Sequence, residues 1–152
     1  MAAENTVFEQ RRGPFTISTD KARLNVDLIC DYLSETSYWA RGRSHAAILR
    51  SIEHSLCFGL YDDGCQIGFS RVVTDYATFA WLADVFVLAS HCGQGLGKWL
   101  IANVVGHAEL QDVGLFVLAT RDAHGLYRRY GGFEVIPEDG KYMARPGAAR
   151  AS

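Results

Sequence analysis

Three glycines alternate in the segment with the clearest chemical signal, His91-Cys92-Gly93-Gln94-Gly95-Leu96-Gly97-Lys98. This segment leaves an apolar run and opens a helical pattern. Because glycine has no side chain, the backbone here can approach a ligand closely, and N–H groups at a helix start attract an anion. We therefore predict a phosphate-binding loop, with a ligand-free strand-to-helix turn as the alternative.

Two familiar nucleotide motifs do not fit this loop. A P-loop would need glycine at Cys92 and serine or threonine at Trp99. The dinucleotide-binding pattern would need glycine at Lys98 or at Leu100. A nucleotide-binding module is therefore the less favoured interpretation of the loop.

Helical and strand patterns surround the loop and must position it. Asn25 and Ser44 are candidate N-caps for two amphipathic helices. Aromatic and β-branched residues then fill three runs that predict consecutive antiparallel strands at 56–61, 65–74 and 78–87.

The second half of the chain predicts a helix from Leu96 to about Gln111, a strand at 115–120 and a helix at 123–130. Two short closing strands are expected at 133–136 and 142–145. This order predicts an α/β (α+β) fold with one mixed, mostly antiparallel central sheet flanked by helices. We expect one domain over residues 1–152, with a core of about 15–145 and flexible ends.

Composition excludes several classes of function. The 152 residues carry a net charge of -2, so no broad basic field is available for nucleic acid. The longest apolar run is short and contains Asp84, which predicts no membrane span. Four dispersed cysteines predict no metal site, and the polar N-terminus lacks the apolar stretch of a signal peptide. We expect a cytoplasmic protein with reduced thiols.

Two motifs carry a family resemblance. Gly95 and Gly97 match the pattern Q/R-x-x-G-x-G/A after an apolar strand, and Leu126-Tyr127 with Gly131 and Phe133 matches a later L-Y-x-x-x-G-F segment. Over about 56–133 the chain thus resembles the GNAT superfamily of acyl-CoA-dependent N-acyltransferases. Three departures are Cys92 at the Gln or Arg position, Ala89 where many members carry proline, and one additional glycine at 131–132.

The resemblance implies acetyl-CoA as cosubstrate. Its diphosphate would lie on the loop from Cys92 to Lys98, where a missing Arg or Gln side chain weakens the contact. Its pantetheine arm would lie between the strands that end at Val87 and Thr120. The residues implied in cofactor binding are Val85, Phe86, Val87, Cys92, Gly93, Gln94, Gly95, Leu96, Gly97, Lys98, Thr120 and Tyr127.

The resemblance also implies catalytic residues. The family's tyrosine corresponds to Tyr127, whose phenol, with a reference pKa near 10, would protonate a departing thiolate; the alternative is a tyrosine packed on the sheet. Asp84, a carboxylate inside an apolar strand, would attract an ammonium substrate or relay its proton. The alternative for Asp84 is an ion pair with Arg71 on the neighbouring strand.

Further residues are candidates for the acceptor site. Tyr38 and Trp39 lie between the first two helices, where they would hold an apolar or cationic acceptor or simply cap the core. Arg71 is a candidate beside Asp84. His124 is a candidate base or a local helix cap. A thiol nucleophile at Cys92 is disfavoured, because the family transfers the acyl group directly.

The sequence therefore predicts an N-acetyltransferase that moves an acetyl group from acetyl-CoA to a primary amine by direct attack in a ternary complex. The acceptor would be a small-molecule amine or a protein amine, and a homodimer is an open expectation. We expect no metal, nucleic acid or membrane partner. The alternative is a CoA-binding sensor or catalytically silent homologue.

Overall fold

One six-stranded sheet carries helices on both faces in the computed structural model, which describes residues 6–137 and 140–147. The strands are β1 (Glu9–Arg12), β2 (Phe15–Ser18), β3 (Leu56–Asp62), β4 (Cys65–Thr74), β5 (Phe79–Val87) and β6 (Leu115–Leu118). The α-helices of these ranges are α1 (Val26–Asp31), α2 (His45–Glu53), α3 (Leu96–Val105) and α4 (His124–Gly131).

The strands lie in sequence order across the sheet. Neighbours from β1 to β5 are antiparallel, whereas β5 and β6 are parallel and α3 forms the crossover between them. The mixed, mostly antiparallel sheet flanked by helices is therefore confirmed.

The two predicted N-caps are confirmed. The Asn25 side chain accepts a hydrogen bond from the N–H of Leu28 at 3.1 Å, and Ser44 accepts one from Ala47 at 3.1 Å. Each bond satisfies a backbone donor that the first helical turn leaves without a partner. A π-helical turn, Tyr32–Thr36, extends α1.

The core lies on both faces of the sheet. Adjacent residues of β3 belong to different buried clusters, since Cys57 packs with α1 and α2 while Phe58 packs with α3. Successive side chains of a strand point to opposite faces, so the sheet is covered from both sides.

Three details differ from the predicted elements. Strand β1 was not expected, because its four residues are polar and exposed; a left-handed Gly13 joins it to β2 at the sheet edge. Helix α3 ends at Val105, where Gly106 caps it, rather than near Gln111. Strand β6 ends at Leu118, so Thr120 lies in the following loop.

The predicted closing strands are wrong. Residues 133–136 and 142–145 are not strands in the structure. Gly132 ends α4 in a left-handed conformation with φ 71°, and the Phe133 ring then packs edge-on against Phe116 with centroids 5.4 Å apart. The following apolar side chains, Val135 and Met143, are exposed, so no buried face stabilises a pleated strand here.

Substitution by alanine should have opposite effects on stability at two glycines near the ends of α4. Gly132→Ala forces a Cβ into left-handed backbone, so we expect the free energy of unfolding to fall by about 1–2 kcal/mol. Gly125→Ala meets no atom within 4 Å and should raise it by about 0.5–1 kcal/mol, because glycine is a poor helix former. Urea unfolding measures both; equal effects would contradict the left-handed cap.

Candidate active site

The glycine loop connects the end of β5 to the start of α3. Gly93 and Gly95 have φ values of 83° and 76°, a conformation that favours glycine. The first α-helical hydrogen bond runs from the Trp99 N–H to the Gly95 carbonyl at 3.1 Å. The N–H groups of 96–98 therefore stand at the open start of a ten-residue helix, where they and the helix dipole favour an anion.

The fold itself does not require a glycine at position 97. The φ of Gly97 lies outside the left-handed region, and an added Cβ would come no closer to the protein than 4.0 Å, from Val87 Cγ2. The bare backbone at this position leaves room in front of the helix start, which fits a phosphate ligand.

The side chains beside the loop are engaged elsewhere. The Cys92 Sγ lies 3.5 Å from the Leu88 carbonyl, and its N–H donates to the Ala89 carbonyl at 3.4 Å. The His91 Nε2 lies 2.9 Å from the Asp62 carboxylate. The residue at the family's Gln or Arg position thus contributes neither a charge nor a free N–H group, and the open donors begin after it.

A β-bulge interrupts the pairing of β5 with β4 beside this loop. The β4–β5 register passes from Phe69↔Phe86 to Arg71↔Ala83, so two residues of β5 oppose Ser70 alone. One of the two is Asp84, with φ 55°. The pairing of β5 with β6 stops at Leu82↔Leu118.

Beyond this point the backbone edge of 83–87 faces away from β4 and has no strand partner among the described residues. The two parallel strands thus leave an opening next to the glycine loop.

The Asp84 carboxylate is buried in a cluster of hydrogen-bond donors. It accepts from Arg71 Nε at 2.9 Å, from Arg43 Nη1 at 2.9 and 3.0 Å, and from Trp39 Nε1 at 2.9 Å. Arg71 also donates to the hydroxyl of Ser55 at 3.2 Å. The expected pairing of Asp84 with Arg71 is therefore present, and both carboxylate oxygens are already occupied.

Opposing effects act on the pKa of Asp84. Burial raises it, but the charges of Arg71 and Arg43, with hydrogen bonds from Arg71 and Trp39, outweigh burial and hold the pKa below its usual value. The carboxylate is therefore ionised at neutral pH and is a poor proton acceptor.

Tyr127 lies on α4 and lines a cavity of about 690 Å³ together with Thr120 and His124. Burial, followed by the charge of the neighbouring Tyr38, raises the pKa of Tyr127 to about 12. Its phenol holds its proton more firmly than the sequence predicted. Thr120 accepts from the Ala123 N–H at 3.0 Å, and His124, the first residue of α4, is exposed.

The connection between α1 and α2 spans the opening. On one side Trp39 and Arg43 hold Asp84 of β5; on the other, the Tyr38 hydroxyl accepts from the Arg121 N–H at 3.3 Å, just beyond β6. The Arg121 guanidinium lies 3.7 Å from the centroid of the Tyr38 ring. Sequence reasoning missed Arg121, because no local pattern signals a contact across 83 positions.

Neither a metal cluster nor a membrane span is found in the described part of the chain. Residues 6–137 and 140–147 contain no group of three or more His, Cys, Asp or Glu side chains that could hold a metal ion. No helix in these ranges is long and apolar enough to cross a bilayer.

The ion cluster predicts a pH-dependent stability. Asp84→Asn leaves two guanidiniums without their counter-charge, so we expect a loss of about 3 kcal/mol at pH 7. Because the folded pKa of Asp84 is lowered, its contribution is present above the unfolded value near 3.9 and is lost as the pH falls through the folded value. The deficit of the variant should therefore shrink below about pH 4.

Urea unfolding at pH 7 and at pH 3 measures this deficit. Asp122→Asn is the matched control, since its exposed pair with Arg121 contributes under about 1 kcal/mol. A variant as stable as the native chain at pH 7 would contradict the cluster.

Comparison with known proteins agrees with this geometry. The family described as "Acetyltransferase (GNAT) family" matches residues 26–133. A solved Xanthomonas campestris structure described as belonging to the GNAT family is 47% identical, covers 88% of this chain and 93% of its own, and has a TM-score of 0.84. A Staphylococcus aureus structure at 22% identity covers 88% and 99% with a TM-score of 0.70, a likeness of fold alone.

Curated relatives match over part of their length. The Gibberella zeae protein named "Putative acetyltransferase FG08082" is 35% identical over 59% of this chain and 62% of its own. "Histone acetyltransferase TAP1" of Glycine max is 36% identical over 51% of this chain and 33% of its own. The chain thus spans about three fifths or less of these two relatives. With a family match over 26–133, the chain belongs to the acetyltransferase (GNAT) family.

Proposed function

We propose that this protein transfers an acetyl group from acetyl-CoA to a primary amine. The observation that carries the proposal is the opening between β5 and β6 directly beside a glycine loop with open N–H donors. An elongated ligand with a diphosphate would place its phosphates on the loop and its arm along the unpaired strand edge.

The residues present fit this cosubstrate. N–H groups of 93–98 would bind the diphosphate, and the bare backbone of Gly97 gives it room. Backbone groups of Val85 and Val87 would pair with amides of the arm at the unpaired edge of β5. The side chains of Phe86 and Leu96 are buried in the core, so only their backbone would take part.

When bound, acetyl-CoA supplies an acetyl group activated as a thioester. The acceptor nitrogen would bond to the acetyl carbon as the carbon–sulfur bond breaks. The nitrogen would give one proton to water, and the departing thiolate would take one proton from water. Tyr127 Oη would donate a hydrogen bond to the departing sulfur. Its pKa of about 12 exceeds a thiol's reference value near 8.5, so Tyr127 would stabilise the thiolate mainly without giving up its proton.

Asp84 takes a different role from the one first expected. Its two oxygens accept hydrogen bonds from Arg43, Arg71 and Trp39, so we assign it to positioning the acceptor side. It holds the connection between α1 and α2 against β5. The acceptor amine must then reach the thioester in its neutral form, with water as the first proton acceptor.

A CoA-binding protein without turnover is the second candidate function. Cys92 favours it, because this position adds no charged contact to the diphosphate and its N–H is already engaged. We propose the cytoplasm as the location on the four free thiols of the chain, and an amine, small or protein-bound, as the acceptor.

Ligand binding tests the cofactor site. Acetyl-CoA or CoA at about 100 times its Kd should raise the Tm by about 5–10 °C, whereas ATP and NAD should not. Gly97→Val should lose this shift, since its side chain fills the space before the helix start. Gly125→Val is the matched control, an early glycine of α4 with nothing within 4 Å. No shift with millimolar CoA would refute the site.

Turnover tests the role of Tyr127. Tyr127→Phe keeps the ring but removes the hydrogen-bond donor to the sulfur, so kcat should fall by roughly 10²-fold to 10³-fold, with stability and CoA binding nearly unchanged. Thiol release on an amine panel measures this. Tyr76→Phe, which removes an exposed phenol from the turn between β4 and β5, should keep full activity.

Two results would reverse the assignment of Tyr127. Native turnover of the variant where chemistry limits the rate would mean that another group stabilises the sulfur. An unfolded variant would show that the phenol has a structural role. CoA binding without thiol release on any amine would favour the second candidate function.

A further inference from the structure

The acceptor side of the opening carries charges that define a class of acceptor. We infer, on the basis of the proposed function, that the acceptor amine carries a carboxylate or a phosphate group in the same molecule. Two contacts and one charge balance support this inference, and both contacts concern residues for which the sequence predicted affinity for a cation.

The first contact concerns Asp84. A free carboxylate at this position would attract an ammonium group, but both of its oxygens accept hydrogen bonds from Arg43 and Arg71. Its side chain is 2% exposed, whereas that of Arg43 is 27% exposed. An approaching substrate therefore meets a guanidinium before it meets the carboxylate.

The second contact concerns the aromatic rings. Tyr38 would hold a cationic acceptor through its ring face, but the Arg121 guanidinium lies 3.7 Å from that ring's centroid. Trp39 uses its indole N–H to bind Asp84. The Arg121 guanidinium thus already occupies the face of the Tyr38 ring, and the Arg121 side chain is 63% exposed.

The third observation is the charge balance. Three guanidiniums, those of Arg43, Arg71 and Arg121, contact two carboxylates, those of Asp84 and Asp122, which leaves one positive charge in excess. The pair between Arg121 and Asp122 is loose, at 3.6 Å, and both side chains are exposed. An incoming anion can therefore replace Asp122 as the partner of Arg121.

The location of Arg121 links its positive charge to the site of the proposed reaction. Arg121 directly follows Thr120, which lines the same cavity as Tyr127. The Arg121 N–H donates to the Tyr38 hydroxyl at 3.3 Å. Guanidinium groups bind carboxylates and phosphates through paired N–H donors. An anion bound at Arg121 would hold the amine of the same small molecule at the mouth of the opening, whereas a lysine-rich peptide would be repelled.

Matched acceptors test the inference. Thiol release would be measured with O-phosphoethanolamine against ethanolamine, β-alanine against β-alaninamide, and spermidine as the polycation. We expect the anionic member of at least one pair to have a kcat/KM about 10-fold to 100-fold higher, the effect of one charge-assisted hydrogen bond. The two pairs separate phosphate from carboxylate recognition.

Variants at an exposed position identify the group responsible. Arg121→Ala and Arg121→Glu should raise the KM of the preferred anionic acceptor by about tenfold or more, with kcat, the KM of acetyl-CoA and the KM of ethanolamine nearly unchanged. Arg50→Glu reverses a charge on the exposed face of α2 and is the control, with no change expected.

Several outcomes would overturn the inference. Equal or better use of ethanolamine, β-alaninamide or spermidine would show that the acceptor side does not select an anion, while the proposed acetyl transfer would stand. A rise in the KM of acetyl-CoA for the Arg121 variants would assign that guanidinium to the cosubstrate. Acetyl-CoA binding with no turnover of either anionic amine would also contradict the inference.

Discussion

The buried carboxylate of Asp84 is the constraint on which the candidate site depends. It stands at a β-bulge in left-handed backbone, a conformation that aspartate tolerates better than most residues but that still costs about 1–3 kcal/mol. Arg43, Arg71 and Trp39 hold it there with hydrogen bonds of 2.9–3.0 Å. Because these donors come from a neighbouring strand and from a distant loop, they stabilise the bulge and the loop together.

The bulge lies where β5 turns away from β6 and leaves its edge free. The freed edge runs to Val87, and the chain then passes through a short turn into the glycine loop and α3. The unpaired edge of β5 and the N-terminal end of α3 thus follow one another along the same opening. The proposed diphosphate contact is made by backbone N–H groups, so it does not depend on a charged side chain at Cys92.

The two sides of the opening differ in charge and in polarity. On the proposed cosubstrate side, Tyr127 is half-buried, its pKa is raised to about 12, and it remains neutral. On the proposed acceptor side, Arg43 and Arg121 reach solvent beside the exposed rings of Tyr38 and Trp39. The Asp84 carboxylate, which was expected from the sequence to attract an amine, is bound instead by the guanidiniums of Arg43 and Arg71.

Local patterns predicted the elements but not the contacts between them. The caps at Asn25 and Ser44 and the glycine turns follow from side-chain types at neighbouring positions, and these are confirmed. The closing strands failed because their apolar residues find no buried face after Gly132 turns the chain. The pairing of Asp84 with Arg71 on the neighbouring strand was expected as an alternative, but the contact of Arg43 with Asp84 joins residues 41 positions apart, which periodicity does not report.

A crystal structure of the protein with CoA tests the central claim most directly. The account predicts the diphosphate on the N–H groups of 93–98, the pantetheine amides paired with the edge of Val85–Val87, and the sulfur within hydrogen-bond distance of Tyr127 Oη. Electron density for CoA away from the opening between β5 and β6, or a sulfur remote from Tyr127, would contradict it.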